Sequence, residues 1–173
     1  MIKAIEGGCR CGQVRYRLRL EQLPKVYACH CRDCQTGSGS AFSLNFFLTE
    51  ERLEMTGRTA VHERGSAGEA YVQHACPVCS ARLFDTIDAL PGVLMMRAGT
   101  LDRSDELVIA AHIWAKRKLA GIEIPAGVHM ARASAGRRVR RPDDGSSLKR
   151  QVGWTRAWRD SRGERARAGW SFA

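Results

Sequence analysis

Short stretches of alternating apolar and polar residues recur along the first two-thirds of the chain. Val14, Tyr16 and Leu18 alternate with Arg15, Arg17 and Arg19, the period-two pattern of a strand with one buried face. Gly7, Gly8 and Gly12 interrupt this stretch, so residues 5–20 read as a broken strand carrying Cys9 and Cys11. A short strand is expected over 26–31 and a Phe-rich one over 41–48, joined by a turn-rich loop over 32–40. Thr49 is placed to cap one helical turn, with Glu50 and Glu51 at its positive end and Gly57 ending it. Further strands are expected at 58–64, 70–75, 81–88, 93–98, 112–116 and 121–124, with Pro91-Gly92 as a turn. Many short strands punctuated by glycine predict a mainly β domain, and no solenoid-type repeat is present.

The pattern stops near residue 131. Ala, Arg, Gly and Ser take over, and a segment of that composition buries too little apolar area to offset its ordering entropy. The expectation is a folded domain over 1–130 and a basic, disordered, Arg-rich tail over 131–173. Trp154 and Trp158, four residues apart, mark a marginal helix over about 147–160. Charge divides at the same place: 16 Lys/Arg face 14 Asp/Glu in residues 1–130, but 12 face 4 in residues 131–173, so most of the net charge of +10 belongs to the tail. The near-neutral domain therefore gives no reason to expect a nucleic-acid footprint of its own. No apolar run approaches the ~20 residues needed to span a bilayer, and the first residues lack a signal peptide's apolar core. A cytoplasmic protein without membrane partners is expected.

The candidate chemistry lies in seven cysteines, Cys9, Cys11, Cys29, Cys31, Cys34, Cys76 and Cys79, each within three residues of another. An odd count without an export signal argues against a disulfide framework and for metal. In Cys9-Arg10-Cys11, taken as strand, both thiolates share one face. Cys76-Pro77-Val78-Cys79 is a zinc-knuckle turn, in which proline fixes the bend. Together these supply four sulfurs, a closed tetrahedral site of the structural kind. Cys29, Cys31 and Cys34 are one ligand short of closure, as in zinc sites that keep a position open. The other reading of this second site is structural, with His30, His74 or His112 as its fourth ligand, although His30 would face away from Cys29 and Cys31.

The motifs Gly7-Gly8-Cys9-Arg10-Cys11-Gly12, Cys29-His30-Cys31-Arg32-Asp33-Cys34-Gln35 with Ser38-Gly39-Ser40, Cys76-Pro77-Val78-Cys79, Ala98-Gly99-Thr100-Leu101-Asp102 and His112-Ile113-Trp114 occur in order. Over about residues 5–130 this resembles the glutathione-dependent formaldehyde-activating enzyme family, of the centromere-protein-V type. The resemblance implies a zinc-stabilised β-tent fold of small antiparallel sheets. It implies two zinc ions, one structural on Cys9, Cys11, Cys76 and Cys79 and one catalytic-type on Cys29, Cys31 and Cys34. It also implies a carbon–sulfur lyase activity, S-(hydroxymethyl)glutathione synthesis, on the adduct of a small thiol such as glutathione with an aldehyde such as formaldehyde. The chain departs from the family pattern at Ser80, where glycine is usual and would suit a left-handed turn, and at His74, near an often aromatic position. The segment after Ala131 has no counterpart in that pattern.

Other residues carry weaker expectations. Asp33 reads as a turn aspartate bonding backbone amides, with a proton-acceptor role as the alternative. Ser38, Gly39 and Ser40 form either a substrate-binding or a plain turn. His112, Trp114 and Lys116 share a strand face, and Arg15, Arg17 and Arg19 form a solvated face from which one could bind an anionic substrate. The competing function is a non-catalytic, zinc-stabilised binding or scaffold protein whose Arg-rich tail contacts nucleic acid or acidic partners.

Overall fold

The computed structural model describes residues 4–66, 69–88 and 90–131. The expected tail and its Trp154/Trp158 helix lie beyond residue 131, outside the described residues. The strands are β1 (Ile5–Gly8), β2 (Arg15–Leu18), β3 (Val26–Cys29), β4 (Ser43–Thr49), β5 (Leu53–Thr56), β6 (Ala60–Ser66), β7 (Glu69–Ala75), β8 (Arg82–Ile87), β9 (Val93–Arg97), β10 (Ile109–Ile113) and β11 (His129–Ala131). One α-helix, α1 (Arg32–Ser38), follows β3. The protein is mainly β, as the alternation predicts.

β1, β2 and β5 form a three-stranded antiparallel sheet, and the other strands form an eight-stranded sheet in the order β11-β10-β3-β4-β9-β8-β7-β6. Its ladders from β3 to β6 are antiparallel, but β10 runs parallel to both β3 and β11. Ile5, Val14, Tyr16 and Leu18 belong to one core cluster with Val26, Phe46, Leu48, Phe84, Leu94 and Met96. Cross-strand pairing of Phe46 with Met96, Leu48 with Leu94 and Phe84 with Met96 puts these large side chains on one face of the larger sheet. Each such fully buried side chain stabilises the fold by roughly 1.5–3 kcal/mol. Gly7 is required where β1 passes Tyr16: a Cβ there would collide with the Tyr16 hydroxyl and the Thr100 carbonyl. Among the described residues no helix is long and apolar enough to cross a membrane.

Several local expectations differ. Residues 32–38 are helix, not loop: Cys31 caps the N-terminus by accepting from the Cys34 amide, and Gly39, at φ 60°, ends it. Thr49 does precede a helical turn, Glu50–Arg52, but without a side-chain cap bond, and Gly57 ends β5 instead of a helix. The strand expected over 112–116 lies at Ile109–Ile113, because Trp114 turns left-handed at φ 57° and Ala115–Arg117 forms a 3-10 turn. The strand expected over 121–124 is absent, and β11 takes up the sheet edge later in the chain.

Candidate metal centres

The first cluster joins two tight turns. Cys9 and Cys11 lie in the turn between β1 and β2, so their convergence comes from chain reversal and not from strand alternation. Cys9 N donates to Val14 O at 2.9 Å and Gly12 N to Cys9 O at 3.1 Å, which closes the turn. Cys76 and Cys79 occupy the turn between β7 and β8, closed by Cys76 N to Ala81 O at 2.9 Å and Ser80 N to Cys76 O at 3.0 Å. Ser80 sits at φ 58°, the left-handed conformation that favours glycine. Cys9 Sγ lies 3.5 Å from Cys11 Sγ, and Cys11 Sγ lies 3.6 Å from Cys76 Sγ. All four sulfurs lie within 4.8 Å of one another. The Val78 amide donates to Cys76 Sγ at 3.4 Å and the Val14 amide to Cys9 Sγ at 3.2 Å; against its burial, the Val14 bond and those from Cys11 and Cys76 hold Cys9 below the usual thiol range. The Ala81 and Cys11 amides likewise hold Cys79 down to about 6.

The second cluster is made by six consecutive residues. β3 delivers Cys29, Cys31 is the cap residue of α1, and Cys34 lies in its first turn. Their sulfurs lie within 4.8 Å of one another. Hydrogen bonds from Cys29 and Cys34, with help from the Cys34 and Asp33 amides, hold Cys31 well below the ordinary thiol range. Cys29 is pushed up by the same bonds and by burial. The trio therefore carries negative charge readily but resists a second and third ionisation unless a cation compensates. An all-sulfur donor set of this kind suits zinc and other thiophilic ions. Both clusters could hold metal ions, and the residues present fit that role.

No histidine joins either cluster among the described residues. His30 is fully buried and faces away from Cys29, as expected: its Nε2 lies 2.9 Å from His112 Nδ1, and Phe42 packs edge-on to its ring. His74 meets Thr59 Oγ1 at 3.2 Å and stacks on Phe84. Burial depresses the basicity of all three imidazoles. His112, Trp114 and Lys116 do not share a strand face, because β10 ends at Ile113. Ser38 Oγ donates to Cys34 O at 2.7 Å, which commits that hydroxyl to α1, and Asp33 lies exposed in the helix's first turn. Arg15, Arg17 and Arg19 are engaged by Asp102, Glu6 and Glu54. What sequence reasoning missed is a buried polar group on the Cys29 face of the sheet: Ser43, Asn45, Asp85 and Arg97. No local signal marked them: Asp85 stands with Arg82 and Thr86 in β8, and Arg97 is the last residue of β9.

A mainly β fold with one four-sulfur and one three-sulfur cluster defines a cysteine-rich β protein whose clusters could hold metal ions. Residues 4–117 match the family described as glutathione-dependent formaldehyde-activating enzyme, and the chain belongs to that family. Among solved structures, a Rhodobacter sphaeroides protein from a structural-genomics programme is similar over 60% of this chain and 97% of its own, at 15% identity and a TM-score of 0.46. No curated protein matches the chain.

Proposed function

We propose that the chain is a zinc-dependent enzyme of the carbon–sulfur lyase type, acting on the adduct of a thiol, glutathione foremost, with a small aldehyde such as formaldehyde. The observation that carries this reading is the four-plus-three division of the sulfurs, with no fourth protein donor beside Cys29, Cys31 and Cys34 among the described residues. Cys9, Cys11, Cys76 and Cys79 would hold a structural zinc, closing the β1–β2 turn onto the β7–β8 turn. Cys29, Cys31 and Cys34 would hold a second ion. A zinc ion held by these three thiolates would supply Lewis acidity that favours a substrate thiol in its ionised form. In the synthetic direction the thiol sulfur bonds to the carbonyl carbon and the thiol proton ends on the carbonyl oxygen; cleavage reverses both.

The protein's own part is to hold three sulfurs rigidly around that position. Hydrogen bonds from Cys29 and Cys34, helped by amide donors, favour the Cys31 thiolate, α1 orients Cys34, and the β3–β4 pairing fixes Cys29 opposite Ser43. His30 is withdrawn to His112, which leaves the fourth side free of imidazole. The working unit is residues 1–130, which contain both clusters and the family match. A cytoplasmic location is part of the same reading, since thiolate centres persist where thiols are kept reduced. The test is cobalt-substituted protein titrated with glutathione. A change in the ligand-field bands of the three-cysteine site supports the reading, and unchanged bands at millimolar thiol overturn it in favour of a scaffold held by metal.

A further inference from the structure

The face of the larger sheet that carries Cys29 is unlike a hydrophobic core. Cys29 pairs with Ser43, Tyr27 with Asn45, and Asn45 with Arg97. Cross-strand partners share a face, so a polar row starts at Cys29, one of the three clustered cysteines, and runs across β4 to β9. Arg97 is its centre. Nη1 donates to Ser43 Oγ at 3.1 Å and to Asn45 Oδ1 at 2.6 Å, while Nη2 donates to Asp85. The Arg97 and Asp85 side chains are only 9% and 8% exposed, and Arg82 also approaches Asp85, at 3.8 Å.

Burying an ion pair is a poor way to stabilise a sheet, because desolvation offsets most of the attraction and apolar residues of similar volume serve as well. The position of the pair suggests a different use. The guanidinium reaches Ser43, the strand partner of Cys29, so its charge lies beside the place where the three thiols converge. Arg97 Nε has no hydrogen-bond partner, which leaves that end of the guanidinium unscreened by an acceptor.

We propose that the Arg97–Asp85 pair is an electrostatic positioning element for the three-cysteine site, with Arg97 favouring additional negative charge there and Asp85 limiting how strongly it does so. The proposal rests on the reading that this site accepts a substrate thiolate. Arg97 acts through the site and touches no substrate, so it is a positioning residue.

The test is thiol binding by the cobalt-substituted protein at fixed pH and ionic strength, read from the ligand-field bands, with mercaptoethanol as a probe that carries no carboxylate. A unit charge two strand spacings away, ~10 Å at an effective dielectric of ~20, changes affinity by about tenfold. Arg97→Gln is therefore expected to weaken mercaptoethanol binding about tenfold, with Arg97→Lys restoring it to within about threefold of wild type. Asp85→Asn is expected to tighten it, the opposite sign, whereas a merely structural pair would lose affinity on either side. Cobalt content and thermal unfolding establish which variants retain the site; if Asp85→Asn does not fold, the Lys-versus-Gln contrast at Arg97 decides. The inference is overturned if Arg97→Gln and Asp85→Asn shift affinity in the same direction, if Arg97→Lys behaves as Arg97→Gln, or if only glutathione responds, which would make Arg97 a carboxylate contact. A wild-type protein whose bands ignore thiol removes the proposed function itself; a responsive wild type with indifferent variants removes only this inference.

Discussion

Replacing Cys76 by serine tests whether the two clusters differ in role. Cys76 Sγ lies 3.6 Å from Cys11 Sγ across 65 residues of chain, so a metal ion held there, as proposed, would cross-link a long loop. By the chain-entropy relation for cross-links, closing about 65 residues stabilises the fold by roughly 4 kcal/mol. Cys76 is only 2% exposed, and a buried serine whose O–H finds no acceptor among the neighbouring sulfurs adds a cost of about 1–3 kcal/mol, even if its oxygen takes over the Val78 amide bond. The sum, about 5–7 kcal/mol, consumes much of a typical stability of roughly 5–15 kcal/mol. Cys31→Ser provides the contrast. Its ring spans only residues 29–34, worth about 2 kcal/mol on the same relation, and serine is a strong N-cap able to accept from the Cys34 amide as Cys31 does. Thermal unfolding by circular dichroism, with metal analysis, is the assay. Cys76→Ser should be unfolded, or melt lower by more than about 10 °C, at roughly 2–4 °C per kcal/mol for a chain of this size. Cys31→Ser should stay folded, retain about one equivalent of zinc, and lose thiol binding. Equal collapse of both variants, or a Cys76→Ser protein as stable as wild type, refutes the division of roles.

Three other outcomes are expected. Burial raises Tyr16 to about 12 from the usual 10.0, so its neutral form is favoured by folding; that stability is complete below pH 10 and drains away between pH 10 and 12. Tyr16→Phe should flatten this alkaline loss in denaturant titrations while costing about 1 kcal/mol at neutral pH through the lost 2.7 Å bond to Thr100. Ser80→Gly should raise the melting temperature by about 2–4 °C, because it relieves a left-handed serine whose strain is about 1–2 kcal/mol, less the entropy glycine adds to the unfolded chain. Arg17→Gln, which breaks the exposed pair with Glu6, should leave the melting temperature nearly unchanged, and high salt should erase any difference.

The cysteine clusters were legible in the sequence because each is assembled from local spacings, C-x-C with C-P-x-C and C-x-C-x-x-C, that survive whatever fold surrounds them. The left-handed residue after Cys79 was legible only through the family resemblance, in whose pattern glycine is usual at the place of Ser80. Helix α1 was not. Gly37, Ser38 and Gly39 read as loop, and the cap that starts the helix is a cysteine, whose sulfur does the work usually given to a serine or aspartate oxygen. The parallel placement of β10 beside β3 was hidden because residues 26–29 and 109–113 meet only through tertiary register. The polar row of Tyr27, Asn45 and Arg97 was hidden too. Polar residues alternating with apolar ones signal a solvated strand face, and nothing local tells that this face is covered.

The order of ligands along the chain also sets an order in time. During synthesis the three-cysteine cluster is complete once residue 34 has emerged, whereas the four-cysteine cluster waits for residue 79, about 45 residues later, or roughly 2–9 s at ~5–20 residues per second. Through that interval five thiols are present and only three have their final neighbours. Cys9 and Cys11 stand as an unclaimed pair close in sequence to Cys29, Cys31 and Cys34, so the nascent chain passes through a state in which one ion can be shared between the wrong sulfurs. With metal bound as proposed, the interval before Cys79 emerges is the one in which sulfurs can be wrongly paired.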